Sequence, residues 1–306
     1  MTVNAPQDRY GITELCPFLR PSGREQKIYQ GLDTKLFESI PHRHPIAQLA
    51  VYHQRPWMVG RRGRASADNG DSPCRLLIPI YARTDFRTRL NTMIQLHYLP
   101  GAASMAPHIV LEELGCGHTL LKVDKAGGQL GSPAYRQLNP NGLVPVLVDG
   151  DLVLYESAAI CLHLADSHPA GGLMPALGTA ERAQAYKWMA WLAGTLQPAT
   201  NIYFYPERWA DSAEAIAQVK AHAEQRVMTL VQQIDTQLAT QVGPWLLGQT
   251  YSLPDIHAMM VCRWTRNFAG SKARDLPHIG PWLQRVFERP AVQRVFGAEA
   301  LQAPWF

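Results

Sequence analysis

The chain has 306 residues, 46% of them apolar and 18% charged, with a formal net charge of +4. These are the proportions of a soluble globular protein able to bury a core, with length for two ordinary domains. A membrane span is excluded, because no run of about 18 apolar residues occurs.

The charge is uneven. Residues 1–92 hold 12 Arg and 2 Lys against 8 acidic residues, whereas the remainder holds 15 basic and 17 acidic ones. Such an asymmetry marks a boundary. Residues 1–92 keep no sustained period of 3.6 or 2 and carry the clusters "RPSGRE", "PHRHP" and "RRGRASADNGDSP". The segment is expected to be a basic, disordered extension with little stable fold. Its "RRGR" cluster is read as a solvated arm, since no nucleic-acid recognition fold accompanies it. Glu14, Pro17 and Arg20 interrupt the first apolar run, so no secretory leader is expected, and Asp8, Glu14 and Glu25 are unusual for a transit peptide. The five cysteines, at 16, 74, 116, 161 and 262, are odd in number and form no CxxC pair. Reduced thiols and a cytoplasmic location are expected.

Met93 precedes the first convincing strand, 94–98. "SMAPHIVLEELG" predicts a helix over 104–115 with Gly115 as its stop, and "HTLLKV" a strand over 118–123. Strand, helix and strand with short connections suggest a parallel βαβ unit. "SPAYRQLNP" reads as a short helix closed by Asn139-Pro140. In "GLVPVLVDGDLVLYES", Asp149-Gly150 sits between two apolar runs, a hairpin signal. A helix follows from Ser157, and "PAGGLMP" is a linker by composition. Beyond it the chain is helical: 179–204, a long amphipathic 211–241, "YSLPDIHAMMVCRW", and two short helices in "HIGPWLQRVFERPAVQRVF". Ser252 and Asp255 have capping-box spacing.

The stretches "LHYLPGAASMAPHIVLEELG", "LNPNGLVPVLVDGDLVLYESAAICLHLAD", "SLPDIHAM" and "RPAVQRVF" resemble, in that order, the cytosolic glutathione transferases, the bacterial beta-like branch above all. The likeness covers 93–306 and none of 1–92. It implies a thioredoxin-like α/β domain over 93–172 that binds glutathione, and an all-α helical domain over 178–306. It implies an apolar electrophile held between the two, and a homodimer. It also implies a cis Val144-Pro145 bond, with the backbone of Val144 pairing with the cysteinyl residue of glutathione as an added strand would. Glu156 and Ser157 are expected at the γ-glutamyl end, with Ser157 also capping its helix. Lys125 is expected at the glycyl carboxylate.

In this family the thiol of glutathione is activated at the first strand-to-helix turn. A donor and the positive helix end lower its pKa from about 8.5. Beta-like members often read "PGACS"; here the sequence is Pro100-Gly101-Ala102-Ala103-Ser104, so Ala103 stands where the cysteine is expected. The beta-like pattern also places His-Lys in the first long helix of the second domain, where this chain has Gln197-Pro198. Ser104 is therefore the expected thiolate donor, and Tyr98 the alternative hydroxyl. Ala103 remains a glutathione-wall position. Trp191, Tyr203 and Tyr205 are expected to line the electrophile groove.

The expected activity is that of a glutathione transferase. A non-catalytic scaffold that keeps the fold is the alternative, and glutathione-dependent thiol exchange or peroxide reduction a further one. The eleven histidines show no spacing such as HExxH, so no metal is expected. Neither nucleic acid nor membrane is an expected partner.

Overall fold

The computed structural model describes residues 93–306. The expectation of a disordered basic arm falls on 1–92, outside the described residues.

Four strands form one mixed sheet: β1 (Ile94–Tyr98), β2 (His118–Lys122), β3 (Val146–Asp149) and β4 (Leu152–Tyr155), in the order β2-β1-β3-β4. β1 and β2 are parallel, with Leu96 opposite Leu120. α1 (Met105–Leu114) supplies their crossover. β3 runs antiparallel to both β1 and β4, with Leu147 opposite Leu96 on one side and Leu154 on the other. The turn between β3 and β4 uses Gly150 at φ 59°, a conformation that glycine adopts without penalty.

Successive side chains of a strand point to opposite faces. Leu96, Tyr98 and Leu147 therefore join α1 and α3 (Ser157–Ser167) in the main core. Val146 points the other way, to Val123 and to Tyr135 of α2 (Pro133–Leu138). Ser132 starts α2 by accepting the Tyr135 amide, with Pro133 at the first position.

The second half is helical: α4 (Ala180–Trp191), α5 (Gln197–Phe204), α6 (Ala213–Thr240), α7 (Leu253–Trp264), α8 (Ile279–Phe287) and α9 (Pro290–Ala298). Thr179 and Ser212 cap α4 and α6 with their hydroxyls. The helical stretch expected over 179–204 is present, with Leu192–Leu196 forming a π-helical turn between α4 and α5. Pro198 has no N–H to return to the carbonyl four residues earlier, which disfavours an unbroken α register there.

α7 is the axis of this half, since every one of its residues is buried. Its Asp255 accepts hydrogen bonds from the Leu246 amide at 2.9 Å, the Ser252 amide and hydroxyl at 3.0 Å each, and Trp282 Nε1 at 3.0 Å. One buried carboxylate thus fastens the start of α7 to the preceding loop and to α8. Asp235 of α6 does the same for α8, accepting the amides of His278 and Ile279. α9 closes on α1, where Arg289 forks onto Glu113 through Nε and Nη2 at 2.6 and 2.7 Å. Among the described residues, no helix is long and apolar enough to cross a membrane.

Candidate functional site

The turn between β1 and α1 is closed by its own backbone and by the helical half. The Ala102 amide donates to the Leu99 carbonyl at 3.1 Å. Gly101, at φ +66°, donates its amide to Glu299 Oε2 at 2.7 Å, and its carbonyl accepts from Trp264 Nε1 at 2.9 Å. A Cβ at Gly101 would stand 3.0 Å from the Arg263 guanidinium, so both handedness and space favour glycine. A loop that sequence pattern alone leaves free is thus pinned by residues at 264 and 299.

Against this turn lies a cavity of about 430 Å³. Ala103 and Val144 form part of its wall, and α5 contributes Gln197, Asn201 and Phe204. Tyr205, Trp264 and three cationic residues, Lys125, Arg208 and Arg266, complete the part that matters for a ligand. No carboxylate is among the described lining residues. Burial lowers the pKa of Arg266, and the Arg208 guanidinium lies 4.3 Å from the centre of the Tyr205 ring. The cavity is therefore electropositive, with aromatic walls, at the N-terminal end of α1. That is a setting for an anion carrying an apolar partner.

The orientation of the Gln197 side chain is fixed from outside the cavity. Its Oε1 lies 3.0 Å from Nε2 of His257, which is buried in α7. Burial depresses the His257 pKa to about 4, so the ring is neutral near pH 7. An amide oxygen only accepts, so the ring proton sits on Nε2. The Gln197 NH₂ group is then its remaining donor at the cavity.

The family models for the glutathione S-transferase N-terminal and C-terminal domains match residues 102–167 and 191–290. The Escherichia coli O157:H7 glutathione S-transferase GstA is 32% identical over 215 residues, covering 68% of this chain and all of that protein. The chain belongs to the glutathione transferase family. The disulfide-bond oxidoreductase YfcG of Escherichia coli K12 is 30% identical, over 65% of this chain and 92% of that one. A Sulfitobacter glutathione transferase homologue, solved with bound glutathione, superposes with a TM-score of 0.63 at 28% identity, covering 68% of this chain and 99% of that one.

Within this transferase fold, the residues expected for catalysis are not those that line the cavity. Ser104 is fully buried, donating Oγ to the Leu99 carbonyl at 3.0 Å and receiving the Leu99 amide at 3.2 Å. It stands at the N-cap of α1, but its side chain makes no cap bond. The expected side-chain cap is not formed; the hydroxyl instead bonds both backbone groups of Leu99 and closes the turn. Tyr98 is likewise a core residue, its ring 6.3 Å from that of His108 and absent from the cavity lining.

Other expected residues divide. Ala103, Lys125, Val144 and Tyr205 line the cavity, and the Val144-Pro145 bond beside it is cis. Glu156 and Ser157 stand at the head of α3, outside that lining. Ser157 does not cap α3, because Glu156 occupies the N-cap with φ 71°; the Ser157 hydroxyl is buried without a partner. Trp191 packs edge-on to Trp188 and does not line the cavity. Tyr203 lines a separate hollow of about 520 Å³, which shares Phe204, Trp264 and Arg266 with the first. Of Trp191, Tyr203 and Tyr205, only Tyr205 lines the cavity beside the β1–α1 turn, where Phe204 and Trp264 join it.

Asn201, Arg208, Trp264 and Arg266 escape sequence reasoning. The only local signal is the i, i+4 spacing of Gln197 and Asn201, which places both on one face of α5. The thiols of the described residues, Cys116, Cys161 and Cys262, lie outside the cavity lining. Burial raises the pKa of all three, that of Cys262 to about 12.

Proposed function

We propose that this chain is a glutathione transferase that ionises the glutathione thiol and directs it at an apolar electrophile. The observation that carries the reading is the 430 Å³ cavity beside the β1–α1 turn, whose described lining has three cationic residues and no carboxylate. Glutathione has two carboxylates and one ammonium, and ionisation of its thiol adds a further negative charge. An electropositive site favours that ionisation.

In this reading Val144 pairs with the cysteinyl backbone, and Lys125 faces the glycyl carboxylate. The γ-glutamyl end reaches the head of α3. The unpartnered Ser157 hydroxyl supports that placement, since a buried hydroxyl without a hydrogen bond is uncommon. The thiol sits at Ala103. Ala103 offers no side-chain donor, and Ser104 is spent, so the Gln197 amide takes the role of thiolate donor beside the N-terminal end of α1. The thiol proton leaves to solvent. The sulfur then forms a C–S bond, and the leaving group departs with its bonding pair. Phe204, Tyr205 and Trp264 hold the electrophile.

Among the described residues no cysteine lines the cavity, which speaks against thiol exchange through a protein mixed disulfide. The deciding experiment is glutathione titration of the full chain with ultraviolet detection of thiolate, followed by an electrophile panel. Binding with thiolate present at pH 7 and turnover on the panel supports the transferase reading. Binding with a fully protonated thiol and no turnover leaves a non-catalytic binding protein. No binding removes the glutathione reading.

A further inference from the structure

Away from the cavity, three side chains of metal-ligand type converge where α1 meets β2. His108 and Glu112 are four residues apart on α1 and so share a face, and His118 opens β2. One ligand atom from each lies within 4.8 Å of the others. His108 is buried, while His118 and Glu112 are partly exposed, which leaves a path from solvent.

Each imidazole is already oriented through its other nitrogen. His108 Nδ1 lies 2.9 Å from Glu299 Oε1, and the pair is buried. His118 Nδ1 lies 2.8 Å from the Cys116 carbonyl. A carboxylate and a carbonyl only accept, so both Nδ1 atoms carry a ring proton, which leaves Nε2 as the atom of each neutral ring able to ligate a metal. His118 Nε2 is 3.8 Å from Glu112 Oε1. Two imidazoles and a carboxylate thus converge within reach of a single ion. Outer partners that fix the tautomer of a ligating histidine are the usual surroundings of a metal-binding imidazole. Arg294 occupies the other oxygen, Glu112 Oε2, and leaves Oε1 for the ion.

We propose that His108, Glu112 and His118 form a site for one divalent transition cation of the zinc, cobalt or nickel kind, with water completing the coordination. Two imidazoles and one carboxylate suit these ions better than magnesium or calcium, which prefer all-oxygen sets. The ion is structural. It ties α1 to β2 and, through Glu299, to the C-terminal end of α9 and to the Gly101 amide. The sequence hides this site because its third ligand lies on another element, and no HExxH-type spacing signals it.

The test uses the full chain stripped by a chelator and titrated with Co²⁺, read by visible absorption, and with Zn²⁺, read by calorimetry and thermal melting. One equivalent is expected to bind with the ligand-field bands of a four- or five-coordinate Co²⁺ and to raise the Tm. Glu112→Gln and His118→Ala should each lose that equivalent, while His163→Ala on α3 keeps it. His118→Cys should retain Co²⁺ and add a thiolate-to-metal charge-transfer band, a gain that misfolding does not produce. Equal stoichiometry in all variants, with no thiolate band, overturns the site. So does the absence of any binding to the unaltered chain.

Discussion

Gln197 Oε1 and His257 Nε2 lie 3.0 Å apart although 60 positions separate them in the chain. The contact links the wall of the cavity to the buried centre of α7. It sets which end of the Gln197 amide is free. Gln197→Ala is expected to raise the pKa of the bound thiol by about one to two units, since a hydrogen bond to a charged group contributes roughly 1.5–3 kcal/mol. Turnover at pH 7 should fall by about ten- to a hundredfold, with a smaller change in glutathione affinity. A pH–rate profile checks this; an unshifted acid limb would remove Gln197 from the role of donor.

His257 makes stability depend on pH. Its folded pKa is about 4 and its ordinary value 6.5, with burial as the cause. Between those values the unfolded chain binds a proton that the folded one refuses. The full contribution is present above pH 6.5 and drains away as pH falls toward 4, by up to about 3 kcal/mol. His257→Gln keeps a donor for Gln197 and removes the titration. Urea unfolding of both proteins at pH 7 and pH 4.5 should show a flatter dependence in the variant.

Ser104→Ala separates a closing role from a catalytic one. The hydroxyl holds both the amide and the carbonyl of Leu99. Its loss should cost about 1–3 kcal/mol of stability. Turnover per folded molecule should change little, because the hydroxyl does not face the cavity. Denaturation midpoints and kcat measured on the same preparation check the split; a large fall in kcat at unchanged stability would restore Ser104 to catalysis.

Asp255→Ala is expected to be the most damaging single change in the helical half. It strands the buried donors of Leu246, Ser252 and Trp282 at once. The loss should be about 3–5 kcal/mol, read from the urea midpoint, as for other buried groups deprived of a charged partner. A loss below about 1 kcal/mol would mean that water replaces the carboxylate.

Lys125, Arg208 and Arg266 give the cavity its sign. Arg208→Ala should weaken glutathione binding and reduce its sensitivity to added salt, because screening acts on the charge that the variant lacks. Calorimetric titration at low and high ionic strength checks it; an affinity equal to that of the unaltered chain at both would place the anion elsewhere.

The sequence by itself determined the order of elements and the fold class. Strand alternation, the Asp149-Gly150 turn and the helix caps are local signals, and local backbone preferences act over only a few residues. It also marked Ala103, Lys125, Val144 and Tyr205, which the cavity brings together. It could not decide which polar group faces the ligand. A serine at a strand-to-helix turn has the same local pattern whether its hydroxyl points outward or closes the loop. Tertiary contacts set the direction of the Ser104 hydroxyl through Leu99 and of the Gln197 amide through His257. Tertiary structure alone brought Glu299 to Gly101 and His108, 198 and 191 positions away. Side-chain direction in a site is set by partners that packing supplies, and the spacing of neighbours along the chain carries no record of them.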